Sequence, residues 1–509
     1  MRKKTKEVIR RVGYLMAVVA AVCGGIAIAT VCLTRKWFVK SWGGDVSIEE
    51  LVFQLKVPLE TSLTEELQNL FQYVVPSVII WGIILLIVMI SIRVHRFVAG
   101  VLGFCILCSS FYIVPEECSK IKTIFPYEQY QEEQKAHPDV IAENYVDPRN
   151  VELTFPEKKR NLIYIFLESM ENTYMSKLDG GAYDINYIPE LTALAEENLN
   201  FSHTDQVGGA YEVEGIRWTV ASMFAQTSGL PLLIPIARNA MNGQEVFFPK
   251  VWSLGNILEQ EGYQQELLIG SDAIFGGRLQ YFSQHGSYKI YDYSTALINK
   301  KFPIDYRVWW GYEDQRLFEY AKEEITKLAA EEEPFNFTML TVDTHKENGW
   351  PCPLCRWEYG ADQYGTVLSC SSRQVADFVS WIRQQEFYKD TTVILSGDHR
   401  TMDADFCSTI DPDYRRTLYN TILNSPIEAE ETTFRKFTAM DMFPTTLASL
   451  GVEIEGNQLG LGTNLYSGEK TLAEQIGVHK LSNALKTAKD ESEFWRRFTE
   501  EIVVPEEAQ

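Results

Sequence analysis

An α/β sandwich with a largely parallel central sheet, preceded by three transmembrane helices, is the fold that this 509-residue sequence predicts. Two observations carry it. From residue 161 onward, short apolar runs alternate with helical stretches, a pattern that implies right-handed crossovers between parallel strands. Before residue 116, three stretches lack charged groups, and each can cross the hydrocarbon core as helix, which takes about 20 apolar residues. The length points the same way, since it exceeds what one ordinary core organises.

The membrane elements come first. Residues 12–34 contain "GYLMAVVAAVCGGIAIATVCL", 67–92 contain "VVPSVIIWGIILLIVMISI" with a helix expected over 72–92, and 97–115 contain "FVAGVLGFCILCSSFYIV". The first segment is long and lacks a convincing small-residue cleavage site, so it reads as an anchor rather than a signal peptide. Arg2, Lys3, Lys4, Lys6, Arg10 and Arg11 precede it, and Arg93 and Arg96 fill the short turn between the second and third segments. Both places are therefore expected on the cytoplasmic side. The loop 35–71 and everything after about residue 116 then lie outside, in a multi-pass cell-membrane protein with an extracytoplasmic domain.

The expected division is a transmembrane region over 1–118, a linker over 119–158, a globular domain over 159–470 and a helical tail over 471–509. The linker is polar and punctuated by proline. The tail reads as amphipathic helix, with Trp495 and Phe498 packing on the domain. A formal net charge of −22 argues against nucleic acid, because a binder of the phosphate backbone needs a basic face. Of nine cysteines, Cys23, Cys32, Cys105 and Cys108 fall in the membrane segments and are expected only to pack. Outside lie Cys118, Cys352, Cys355, Cys370 and Cys407, an odd number where disulfides can form. "CPLC" could be a zinc half-site, but no second CxxC or HxxxH accompanies it, so a local disulfide or free thiols are expected.

The strands follow in order. "NLIYIFLE" runs apolar from Leu162 to Leu167 and reads as a strand buried on both faces. After a helix near 188–197 come "YQQELLIGSD", "FNFTMLTVDTH" and "TTVILSGDH". Ligands of such sheets collect outside the carboxyl ends of the strands. There stand Glu168, then Asp343 and His345, then Asp398 and His399. One carboxylate in that place is ordinarily a helix cap or an ion-pair partner; several brought close would repel or demand a cation. Asp398 and His399 can serve one ion only if the strand has ended and the chain is turning, which Gly397 allows. In "EGIRWTVASMFAQTSGLPL", Thr219 stands where a glycine-containing loop meets a helix, either as a simple N-cap or as a hydroxyl beside N–H groups suited to an anion. A hydroxyl is a poor nucleophile until a divalent ion lowers its pKa.

At these residues the sequence resembles the alkaline phosphatase and sulfatase superfamily, and within it the lipoteichoic acid synthase and phosphoglycerol transferase branch. The resemblance runs from "AENYVDPRNVELTFPEKKRNLIYIFLESME" through "RWTVASM", "FGGRLQYFSQHG", "LTVDTH" and "ILSGDHRTM" to "DMFPTTLASLG" and "GLGTNL", roughly residues 140–470. It implies an alkaline-phosphatase-like fold. It is closest to the enzymes that move phosphoglycerol onto membrane-derived glucans. Carried across, the metal-binding acid falls on Glu168, the nucleophilic threonine, itself a metal ligand, on Thr219, and the Asp-His metal pair on Asp398 and His399. Arg278 matches a position that contacts the substrate phosphate, and His345 matches a histidine of the substrate pocket. These assignments suit a phosphodiester, which needs a guanidinium clamp, and a leaving oxygen, which needs a proton donor. His285 in "SQHGSY" is either a further pocket residue or a structural histidine.

The sequence departs from the synthases at Gly276, where they have tryptophan, at Ile269, where they have a histidine, and in having three membrane segments where they have five. These departures bear on polymerisation of lipoteichoic acid rather than on phosphoglycerol transfer. The resemblance implies a two-step displacement: Thr219 attacks the phosphodiester of a donor such as phosphatidylglycerol, and a glycan, glycolipid or polymer acceptor regenerates the enzyme. Oxygen-rich ligands with one imidazole favour Mn²⁺, with Mg²⁺ or Zn²⁺ also compatible. A sulfatase would carry a Cys- or Ser-x-Pro-x-Arg motif, which "TVASM" lacks. A phosphoethanolamine transferase and a catalytically inert binding module are the other readings.

Overall fold

The computed structural model describes residues 19, 22–33, 35–36, 81, 96–124, 140–233, 241, 245–487 and 491–499. They fall into two compact units, one holding the described residues up to 124 and the other those from 140 onward. In the first, residues 22–33 are helical, and a 29-residue helix, Arg96–Ile124, spans the third expected membrane segment. Most of the segment expected over 72–92 lies outside the described residues. Among the described residues no helix is long and apolar enough to cross a membrane.

The second unit is built on six strands: β1 (Asn161–Leu167), β2 (Gln264–Ile269), β3 (Lys289–Tyr291), β4 (Phe335–Leu340), β5 (Thr391–Gly397) and β6 (Asn420–Leu423). Their order is β3-β2-β4-β1-β5-β6, and every pair is parallel except β5 with the edge strand β6. The apolar run of β1 explains its central place. Alternate side chains of a strand face opposite sides, so Leu162, Tyr164 and Phe166 enter one hydrophobic layer and Ile163, Ile165 and Leu167 the other. All six are at most 1% exposed; fully burying such a side chain contributes about 1.5–3 kcal/mol.

Helices cover both faces. On the first face lie α2 (Thr219–Ser228), α3 (Leu254–Gln260), α4 (Arg278–Gln284) and α7 (Met442–Ser449); on the second lie α1 (Pro189–Glu197), α5 (Asp314–Leu328) and α6 (Gln363–Arg383). The fold is thus the predicted sandwich. Register decides what it presents: Phe166 pairs with Leu340, and Leu167 with Gly397, so β4, β1 and β5 run out level with one another.

The segments bordering the domain are packed against it. Val140 and Ile141, inside the stretch expected to be linker, are buried in the first-face core, and Leu153–Thr154 pairs with Glu453–Ile454. In the tail, Phe494 and Phe498 are buried, and Phe498 meets Tyr145 edge to face at 5.4 Å. Apolar residues spaced among polar ones fasten both ends.

Candidate active site

Glu168 leaves β1 in the grip of its neighbour. Its N–H donates to Thr341 Oγ1 at 3.0 Å, and its carbonyl accepts from Thr344 Oγ1 at 2.6 Å, so the two threonines of "LTVDTH" fix the strand end. Ser169 follows with φ +52°, in the left-handed region. That strained turn points its N–H at Asp398 Oδ1, 2.7 Å away, while its hydroxyl donates to Glu168 Oε1 at 2.8 Å.

On β5, Gly397 allows the turn that the sequence required. A Cβ there would lie 2.0 Å from the Met170 carbonyl oxygen, which excludes any side chain. Asp398 then spends Oδ1 on two N–H donors, from Ser169 and His399, each at 2.7 Å. His399 Nδ1 lies 2.8 Å from the Arg400 carbonyl, which places the proton on Nδ1 and turns the Nε2 lone pair towards the same point as the carboxylate oxygens, where it could serve a cation but not them. Nε2 is 3.5 Å from Glu168 Oε1 and 3.6 Å from Asp398 Oδ2.

Thr219 opens α2, whose preceding residue, Trp218, makes no side-chain cap. The hydroxyl donates to Glu168 Oε2 at 3.3 Å and stands 3.4 Å from His399 Nε2. Four residues taken from three places in the sequence therefore meet, with Glu168, Asp398 and His399 each at most 2% exposed.

Does this set fit a divalent cation? Ligand atoms of Glu168, Asp398 and His399 all lie within 4.8 Å of one another. Asp398 Oδ2 is buried without a hydrogen-bond partner, the kind of orphan that an ion satisfies. Burial first, and then the Asp398 carboxylate, hold the Glu168 carboxyl above its usual range. Two buried carboxylates with an imidazole and a hydroxyl make a hard, oxygen-rich set that fits Mn²⁺ or Mg²⁺ and admits Zn²⁺.

Two further residues face this cluster. Arg278 begins α4 and is 4% exposed; its Nε donates to the Phe275 carbonyl at 3.1 Å, and its Nη2 donates to Ser271 Oγ at 3.1 Å and the Asp272 carbonyl at 2.8 Å. Burial draws its pKa down to about 10 against the opposing pull of Glu168, Asp272, Asp292 and Asp398. His345 is half-buried between Trp310 and Trp309, with ring centroids 4.7 and 5.7 Å away, and its Nδ1 is 2.8 Å from the Lys346 carbonyl. Burial lowers its pKa and the nearby Glu168 opposes that.

Two residues are placed elsewhere. Asp343 ends the β4 region as Glu168 ends β1, yet its Oδ1 accepts from the Asp314 N–H at 3.2 Å and its own N–H donates to Asp314 Oδ2 at 3.1 Å. Burial, and then the Asp314 carboxylate, raise its pKa well above the ordinary value. His285 has both ring nitrogens engaged, Nδ1 3.2 Å from Asn256 Oδ1 and Nε2 2.6 Å from the Phe247 carbonyl, and it packs on Tyr281; it holds core loops together, the structural one of its two expected roles.

Sequence reasoning missed the supports behind the cluster. Arg416 makes two bonds to the buried carboxylate of Glu171, at 2.8 and 2.6 Å, and Glu171 also accepts the Thr401 N–H at 2.8 Å, pinning the loop after His399. Arg400 is held by Glu212 through backbone and side chain, at 2.9 and 2.7 Å. The available signal was acid and base in loops flanking the strand ends, which alone does not reveal pairing across 245 residues.

A protein-family model described as Sulfatase matches residues 160–452. Curated relatives named Phosphoglycerol transferase I, from Salmonella choleraesuis (strain SC-B67) and from Salmonella typhi, are each 33% identical over 369 residues, which cover 69% of this chain and 46% of theirs. The chain thus spans about half the length of the curated relatives it matches. Among solved structures, the lipoteichoic acid synthase LtaP from Listeria monocytogenes is 16% identical with a TM-score of 0.48, over 62% of this chain and 79% of its own. A protein of the alkaline phosphatase superfamily from Vibrio parahaemolyticus is 19% identical with a TM-score of 0.47, over 64% and 74%.

Proposed function

The chain belongs to the sulfatase family, and on that premise we propose that it is a membrane-anchored phosphoglycerol transferase. It moves glycerophosphate from phosphatidylglycerol to an extracytoplasmic glycan, glycolipid or polymer. One observation carries the reading: the Thr219 hydroxyl lies within reach of Glu168 and His399, beside a carboxylate oxygen of Asp398 that has no partner. The 33% identity to proteins named Phosphoglycerol transferase I supports the choice of transferred group, and the charge-free stretches before residue 116 support the anchor.

Glu168, Asp398, His399 and Thr219 would hold one divalent cation, Mn²⁺ by the hardness of the donors, which lowers the pKa of a bound hydroxyl and offsets phosphoryl charge. Thr219 Oγ1 attacks phosphorus as its proton passes to Glu168 Oε2, the oxygen it already donates to; a P–O bond forms there as the bond to the diacylglycerol oxygen breaks. His345 is the group suited to protonate that departing oxygen and, in the second step, to take the proton of the acceptor hydroxyl. The acceptor oxygen then bonds to phosphorus, and Thr219 Oγ1 leaves, taking its proton back from Glu168. Arg278 neutralises phosphate oxygens from the Nη1 end of a guanidinium that its other bonds hold in place. The N–H groups opening α2 add positive potential where the charge develops.

Intact mass tests this. The full chain, incubated with Mn²⁺ and phosphatidylglycerol, is expected to gain a glycerophosphate adduct that Thr219→Ala does not form. A phosphoethanolamine adduct from phosphatidylethanolamine, with none from phosphatidylglycerol, would replace the donor assignment. No adduct from either lipid on metal-loaded wild type would overturn the reaction class.

A further inference from the structure

Three exterior cysteines converge in a part of the fold that the proposed reaction does not use. Cys352 and Cys355 lie in the loop between β4 and α6, and Cys370 faces them from α6. Cys352 Sγ is 3.7 Å from Cys370 Sγ and 3.9 Å from Cys355 Sγ, and all three sulfurs lie within 4.8 Å of one another. A disulfide would bring two of them to about 2.05 Å. Tetrahedral ligands at a Zn–S distance of about 2.3 Å stand about 3.8 Å apart, and the two shorter separations bracket that edge.

Gln374 supplies an independent sign. It lies one turn along α6 from Cys370, is 8% exposed, and has an Oε1 without a partner. Its Nε2 stands 3.5 Å from Cys370 Sγ and 3.8 Å from Cys352 Sγ. For an oxygen ligand at about 2.1 Å from the same ion, the expected O–S edge is about 3.6 Å. The carboxamide therefore stands at a fourth ligand's distance from two of the three sulfurs, and a half-turn about its last bond puts Oε1 there. The backbone N–H groups of Leu354 and Cys355 also point back at the Cys352 sulfur.

We propose that Cys352, Cys355 and Cys370 bind a zinc ion, with the Gln374 carboxamide in the fourth position, as a structural site separate from the Glu168, Asp398 and His399 cluster. Binding displaces three thiol protons to solvent. Its consequence is mechanical. The loop that leaves β4 carries His345, and a metal clip between that loop and α6 fastens it to the second-face layer. The single CxxC found its partner inside a helix, so the zinc half-site set aside from sequence is completed by a lone cysteine rather than by a second motif.

Zinc analysis of the full chain, purified in detergent without chelator, tests the proposal. Asp398→Asn, which disables the other cluster, is expected to retain one zinc per chain, whereas Cys355→Ser on that same background loses it about tenfold or more. Cobalt exchanged into wild type is expected to give strong near-ultraviolet sulfur-to-metal absorption, a readout that needs no variant to fold. A mass two hydrogens light after alkylation, marking a disulfide among the three, would overturn the proposal. So would zinc retained when Cys355→Ser is combined with Asp398→Asn, or a cobalt derivative lacking the sulfur band.

Discussion

Thr219 is held at its site by geometry that its hydroxyl does not create. It opens α2, while Glu168 and His399 are fixed by Thr341, Thr344 and the Arg400 carbonyl. Thr219→Ala should therefore lower turnover by at least about 10³-fold, as loss of a nucleophile does, with the urea midpoint of the domain unchanged. Arg278→Lys should behave differently. Lysine replaces a planar fork with one point charge, and the bonds to Phe275, Ser271 and Asp272 cannot all survive. We expect kcat/KM to fall by about 1.5–3 kcal/mol, the worth of a charged hydrogen bond, and measured initial rates over donor concentration will show it. At this scale the site was largely legible, because Glu168, Asp398 and His399 each interrupt an apolar run. Asp343 interrupts one too, and nothing local distinguishes it. The difference is made by Asp314, a residue of α5 that reaches the end of β4 from outside the sheet.

Gly397 shows how an element delivers its ligands. The β5 strand must stop beside the Met170 carbonyl and turn so that two adjacent side chains face one point. Gly397→Ala is expected to destabilise the domain by about 1–3 kcal/mol, as overpacking does, and to weaken divalent-metal binding together with it; denaturant unfolding and metal titration check the two separately. A variant that lost stability but kept full metal affinity would show that the turn is not what aligns Asp398 and His399. The four longer parallel strands were readable as apolar runs closed by polar residues. Strands β3 and β6 were not, because three and four residues are too few to display a period, and the antiparallel sense of β6 depends on a chain path set by the loops before it. The linker was read too generously for a related reason: Val140 and Ile141 are only two apolar residues in a polar stretch, and burial follows from the surface that meets them.

For the whole molecule, the proposed anchor is expected to act through concentration. The described core of the domain begins at Val140, and removing residues 1–139 is expected to leave its melting unchanged while lowering turnover of bilayer phosphatidylglycerol by about 10²-fold, the scale on which tethering raises effective concentration. Turnover of a dispersed short-chain donor should hardly move; if both donors suffered equally, the segment would be acting on the site itself. The sheet has one more property, which concerns neighbours rather than substrates. Both of its margins are short: β3 has three residues, led by Lys289 bridging Glu266 and Glu324, and the outer side of β6 is already occupied by reciprocal bonds with Leu199. Among the described residues, a sheet bordered in this way leaves another chain an edge of only three residues to extend. Copies crowded side by side can therefore touch without templating one another into aggregates.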